Sequence, residues 1–175
     1  MSALYQLRDA LPEAARDIKL NLQSVLQSGT LSPAQRWGVA IAAAAASRQP
    51  RLLAALRDEA AGAVEPVVTD DAIAAAIMMG MNNIYYRFRH LVGKPGYAER
   101  PPRLRMNRLA KPMSSKRDFE LFSLAVSIIN GCETCVRAHE HVVLEEGLSE
   151  EQVHEAARIA SVVHAAAVAL DAVSG

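Results

Sequence analysis

Residues 130–139, Asn-Gly-Cys-Glu-Thr-Cys-Val-Arg-Ala-His, hold both cysteines of the 175-residue chain, Cys132 and Cys135, with His139 one helical turn beyond the second. At 3.6 residues per turn each step rotates about 100°, so Cys135 lies about 60° from Cys132 and His139 about 20° from it. All three side chains share one face. Two thiols able to close into a disulfide, beside an imidazole able to move their protons, make a redox pair. Asn130-Gly131 is expected to interrupt the helix that begins near Arg117, which puts Cys132 at a helix start. There, free N–H groups and the macrodipole favour a thiolate, while the adjoining Glu133 works the other way.

Helix position alone would make Cys132 the attacking sulfur. His139, four residues after Cys135, is instead placed to take the Cys135 proton, directly or through a water. Cys135 is therefore expected to be the nucleophile and Cys132 the resolving, proton-donating thiol. Glu120 would lie about 18 Å from Cys132 on one unbroken helix. If the chain turns back at Gly131, its carboxylate faces the dithiol from a neighbouring helix and orients His139 or serves as the terminal base. A zinc site is disfavoured: the only further histidine nearby, His141, points about 180° away from Cys132, and no second CxxC or His pair completes a ligand set. No metal and no bound cofactor are expected.

The elements that position these residues read as helices throughout. Apolar Leu4, Leu7, Leu11, Ala14, Ala15, Ile18 and Leu22 recur at helical spacing over 3–27, with Pro12 and Glu13 able to open a second helix. Ser32-Pro33 reads as N-cap and N1 of a helix to about Ser47, and Pro50 turns the chain into another that ends near Ala61. Thr69-Asp70-Asp71 reads as the cap of a helix from Ala72 to about Phe88, whose Met78, Met79 and Met81 are expected as gap-filling core. Residues 93–116 are expected to be irregular, rich in Gly and Pro. Seven basic and no acidic residues lie between Arg100 and Arg117; a solvated loop is the plainer reading, a docking surface for an acidic partner the sharper one. Gly147 ends the cysteine helix, and Ser149 with Gln152 makes a capping box for a last helix over 153–173. The expected fold is all-α, one domain over 1–175, with a weak internal repeat of about 32–90 and 115–173. Thr69 to Ile73 matches Ser149 to Val153 at a shift of 80 residues.

Composition narrows the function classes. Nineteen basic residues balance nineteen acidic ones, which gives nucleic-acid binding no support and favours self-association. Met1 to Leu11 mix polar and apolar residues, so no signal peptide is expected, and the apolar run Val39 to Ala46 is too short to span a bilayer. A cytoplasmic location is the expectation, and there a lone CxxC serves reversible redox work better than stapling.

Glu120, Cys132-Glu133-Thr134-Cys135 and Val136-Arg137-Ala138-His139 together resemble the E…CxxCxxxH signature of the alkyl hydroperoxide reductase D family, within the wider carboxymuconolactone decarboxylase-like fold. Asp17 to Leu22, Met79-Gly80-Met81-Asn82-Asn83 and Arg105-Met106-Asn107 also look like this family, so the resemblance covers nearly the whole chain. It implies a duplicated helical fold assembled as a homotrimer. It implies an antioxidant adaptor that passes electrons from the dihydrolipoyl group of a 2-oxoacid dehydrogenase component, carried on a lipoyl domain, to the disulfide of a peroxiredoxin (alkyl hydroperoxide reductase C). Weak direct reduction of alkyl hydroperoxides is implied too, with a sulfenic acid on Cys135, Cys132 giving the proton, and Glu120 and His139 as relay. One position departs: well-known members carry histidine where this chain has Thr134. The alternative is a carboxymuconolactone decarboxylase-type enzyme without redox chemistry.

Overall fold

A computed structural model describes residues 2–172. Among them the chain is all-α. The helices are α1 (Ala3–Asp9), α2 (Arg16–Gln27), α3 (Pro33–Ala46), α4 (Pro50–Ala60), α5 (Pro66–Val92), α6 (Pro95–Ala98), α7 (Asn107–Ala110), α8 (Lys116–Ile129), α9 (Glu133–Glu145) and α10 (Glu150–Asp171). A 3₁₀ turn at Glu13–Ala15 leads into α2, where Pro12-Glu13 is expected to restart the chain. Val173, the expected end of the last helix, lies outside the described residues.

The central helix is α3, which packs against α4, α5, α8 and α10. Its Ala-rich body makes this possible, since Val39 to Ala44 are all fully buried and small side chains let several helices approach one axis. At Gly38 the α3 backbone lies against the Phe122 ring of α8, which an added Cβ would overlap. Ser32 starts α3 with a reciprocal capping box to Gln35, and Ser149 with Gln152 starts α10 in the same way. By length and mean hydropathy (1.2) α10 is apolar enough to cross a membrane, although the expected spans contained none. Its apolar face (Ala156, Ile159, Ala160, Val163, Ala166, Ala167, Leu170) instead lies in the protein core.

Thr69-Asp70-Asp71 is not the cap that its composition suggests. Helix α5 begins earlier, at Pro66, because proline is tolerated in a first turn, and it runs on to Val92 before Gly93 ends it in the left-handed conformation. The Asp71 carboxylate, inside that helix and fully buried, faces the long connector. It accepts hydrogen bonds from Met113 N (2.9 Å), Ser114 N (2.6 Å) and Ser114 Oγ (2.7 Å), and pairs with the Arg108 guanidinium at 2.6 Å. Burial works to raise its pKa; the bonds from Ser114 and Met113 and the Arg108 charge outweigh this and hold it below the usual carboxylate range. The connector 93–116, expected to be irregular, carries two one-turn helices, α6 and α7, and is strapped to α5 by these bonds.

An Asp71→Ala variant leaves those donors without their acceptor, and a loss of about 3 kcal/mol in a urea melt is expected. A carboxylate with a depressed folded pKa contributes fully above its ordinary, unfolded pKa and loses that contribution as pH falls through the folded value. Wild-type stability should therefore drop in acid below the ordinary carboxylate pKa, with a flatter pH dependence for Asp71→Ala. Identical melts for the two proteins would refute the anchoring role.

Candidate redox site

Helix α8 ends at Asn130, and Gly131 turns the chain with φ +63°, a conformation costly for any residue carrying a Cβ. Cys132 N donates to Ser127 O at 3.1 Å, and Cys132 O accepts from Val136 N at 2.9 Å, so Cys132 is the N-cap of α9. The Arg87 guanidinium on α5 donates to Asn130 O and ties the turn down. A second tie is a chain of carboxamides: Asn130 Nδ2 donates to Asn83 Oδ1 at 2.9 Å, and Asn83 Nδ2 donates to Ser127 Oγ at 2.9 Å. The turn-back at Gly131 lays α9 against α8, which brings Glu120 toward the cysteines as expected.

Cys132 and Cys135 are joined as a disulfide. The two cysteines are both buried and differ slightly in access: Cys132 is 0% exposed and Cys135 6%. Cys135, but not Cys132, lines a cavity of about 380 Å³ walled by α5, the strap, α8 and α9. Glu120 and His139 line the same cavity, and Glu120 Oε2 lies 2.5 Å from His139 Nδ1. A carboxylate only accepts, so Nδ1 carries the proton of this pair and Nε2 is left as the nitrogen able to exchange one. In the disulfide form Nε2 faces the Met79 thioether, 3.2 Å away. Met79 is thus core, as expected, and also site wall.

The remaining lining is mostly apolar: Tyr86 from α5, Met106 and Leu109 from the strap, Ala138 and Val142 from α9. Sequence spacing could not place Met106 or Leu109 here, because they reach the cavity through the Asp71 anchor and not through α9. Thr134 is exposed at the rim. Glu133 turns outward to Arg137 (2.9 Å) and His90 (3.7 Å). His141 pairs with Glu145 on the exposed side of α9, away from both cysteines. Of the basic residues in the connector and its end, Arg108, Lys116 and Arg117 are held by Asp71, Glu146 and Asp118.

The chain is similar in sequence to known proteins. Residues 95–174 match the model of the Carboxymuconolactone decarboxylase family. Over 171 residues the chain is 69% identical to a protein of Anaeromyxobacter dehalogenans (strain 2CP-C) named alkyl hydroperoxide reductase AhpD, a match covering 98% of this chain and 92% of that one. It is 49% identical to a protein of the same name from Solibacter usitatus (strain Ellin6076), with 96% of this chain and 95% of that one covered. A third, from Methylobacterium sp. (strain 4-46), is 48% identical, with 97% of each chain covered. With identity this high along essentially all of both chains, the protein belongs to the alkyl hydroperoxide reductase AhpD family.

Proposed function

We propose that the protein is a dithiol reductase of peroxide defence, with Cys135 as nucleophile, Cys132 as resolving thiol, and Glu120 and His139 as proton relay. The observation that carries this reading is one cavity lined by the disulfide-bonded Cys135 and by the Glu120–His139 pair at 2.5 Å. The chain binds no cofactor of its own in this scheme. A dihydrolipoyl dithiol, presented by the lipoyl domain of a 2-oxoacid dehydrogenase component, reduces the Cys132–Cys135 disulfide and is itself oxidised to lipoyl disulfide. The Cys135 thiolate then attacks the disulfide of a peroxiredoxin, alkyl hydroperoxide reductase C, and Cys132 displaces that partner as a dithiol. In the direct reaction Cys135 attacks an alkyl hydroperoxide, giving an alcohol and a sulfenic acid, and Cys132 then closes the disulfide with loss of water. Access supports the assignment of roles, since a reactant in the cavity meets Cys135 before the fully buried Cys132.

The test is turnover with dihydrolipoamide as reductant and a peroxiredoxin as acceptor, before and after alkylation of the reduced protein. Electron transfer that disappears on alkylation is expected. Turnover of a lactone acid that survives alkylation, with no thiol turnover, would favour the decarboxylase alternative.

Assembly as a homotrimer belongs to the same proposal. Ile77, Ile84 and Leu91 recur every seven residues along α5 and are 69%, 61% and 75% exposed, with Phe88 beside them at 45%. Such a stripe on a long helix is what a second copy of the chain would cover. An Ile84→Asp variant should sediment as a monomer while wild type sediments as a trimer. A variant that stays trimeric would remove α5 from the interface.

A further inference from the structure

Asn82 is the buried polar residue of the cavity that the relay leaves unused. It lies on α5 three residues after Met79, is 5% exposed, and lines the cavity with Glu120, Cys135 and His139. Its Oδ1 is buried and has no hydrogen-bond partner among the described residues. The next residue, Asn83, is the contrast, since both ends of its carboxamide are engaged, to Ser127 and Asn130. The structural task on this part of the helix is therefore performed by Asn83. A buried amide oxygen without a partner destabilises the fold relative to a leucine of similar volume, so its presence calls for something that uses it.

We infer that Asn82 binds the organic hydroperoxide and orients it toward Cys135, an inference that rests on the proposed peroxide-reducing function. A hydroperoxide carries an O–H donor on its terminal oxygen and acceptor lone pairs on the oxygen bonded to carbon. A carboxamide offers the complementary pair, one carbonyl acceptor and an NH₂ donor. Rotation of the carboxamide about its last side-chain bond brings Oδ1 to the cavity, where it accepts the hydroperoxide O–H while the amide N–H donates to the inner oxygen. The alkyl group rests on Met79, Met106, Leu109 and Val142. The Cys135 thiolate attacks the terminal oxygen; the S–O bond forms, the O–O bond breaks, and the alkoxide leaves against the amide N–H. The Cys132 thiol gives that alkoxide its proton, making the alcohol, while the proton of Cys135 is held on His139 and completes the water released in the next step. Cys132 then attacks the sulfenic sulfur, releasing water and restoring the disulfide. A dithiol reductant has no O–O–H group and makes no such demand on Asn82.

Asn82→Leu separates the two half-reactions. Pre-reduced protein is mixed with cumene hydroperoxide and loss of free thiol is followed; in a second experiment the disulfide form is reduced by dihydrolipoamide. The peroxide step should slow about tenfold or more, while reduction by dihydrolipoamide stays within about twofold of wild type and Tm is equal or higher. Asn82→Ser gives the same comparison should the leucine variant not fold. An unchanged peroxide step or an equal fall in both half-reactions would each overturn the inference and leave the proposed function standing. A wild-type dithiol that does not react with the hydroperoxide at all would instead refute direct peroxide reduction, and Asn82's role with it.

Discussion

Serine in place of Cys135 should abolish thiol-dependent turnover, leaving it about 10³-fold or more below wild type. A hydroxyl cannot form the disulfide, and at neutral pH it is almost never ionised, so neither the attack nor the bond survives. The two side chains have nearly the same volume, and Cys135 sits in the first turn of α9. The helical far-ultraviolet dichroism should therefore be unchanged. Cys132→Ser should also end turnover, by a different route: Cys135 still attacks, but nothing displaces the partner. The mixed disulfide with the peroxiredoxin then accumulates, and its mass identifies that partner. Full activity in either variant would refute the redox role of the pair. The reverse trapping pattern, with the adduct on Cys132 of a Cys135→Ser variant, would exchange the assigned roles.

The relay carries the second large effect. Glu120→Gln keeps the shape of the side chain but removes its charge and its purely accepting character, so the proton on His139 Nδ1 is no longer fixed. A fall of about 10²-fold in kcat/KM with dihydrolipoamide is expected, the scale of a lost general base. His139→Gln should cost as much or more. The double variant should be little worse than the worse single, because two members of one relay fail together. Effects that multiply in the double variant would mean that Glu120 and His139 act separately, and the relay would be wrong.

Much of this site was legible before any fold was known, for a specific reason. Cys135 and His139, four residues apart, both lie on α9, and helical periodicity alone decides that they share a face. Cys132, expected on the same face, is instead the extended N-cap, outside the helical period, and does not line the cavity. The Gly131 turn was also local information, since glycine after a polar C-cap residue is how a helix is made to end. Even the placement of Glu120 followed from that one break, because a helix that reverses must lie against its predecessor. The caps at Ser32 and Ser149 were equally local, each a side-chain bond to a backbone group three residues on.

Asp71 shows where local reading failed. Thr69-Asp70-Asp71 has the composition of a cap, yet Pro66 starts the helix earlier, and the acidic side chain is used by residues 108–114, some forty positions away. Met79 and Asn82 were visible only as part of a methionine-rich apolar helix and a family-like motif. The signal available was two adjacent carboxamides in the middle of that helix, which an apolar environment tolerates only with partners. The chain by itself determined most of the long helices, the caps at Ser32 and Ser149 and the Cys135–His139 face, because each depends on neighbours within a turn or two. Tertiary structure alone decided which cysteine meets the cavity, which apolar residues wall it and which asparagine oxygen is left unpaired, because those depend on how distant helices pack around α3.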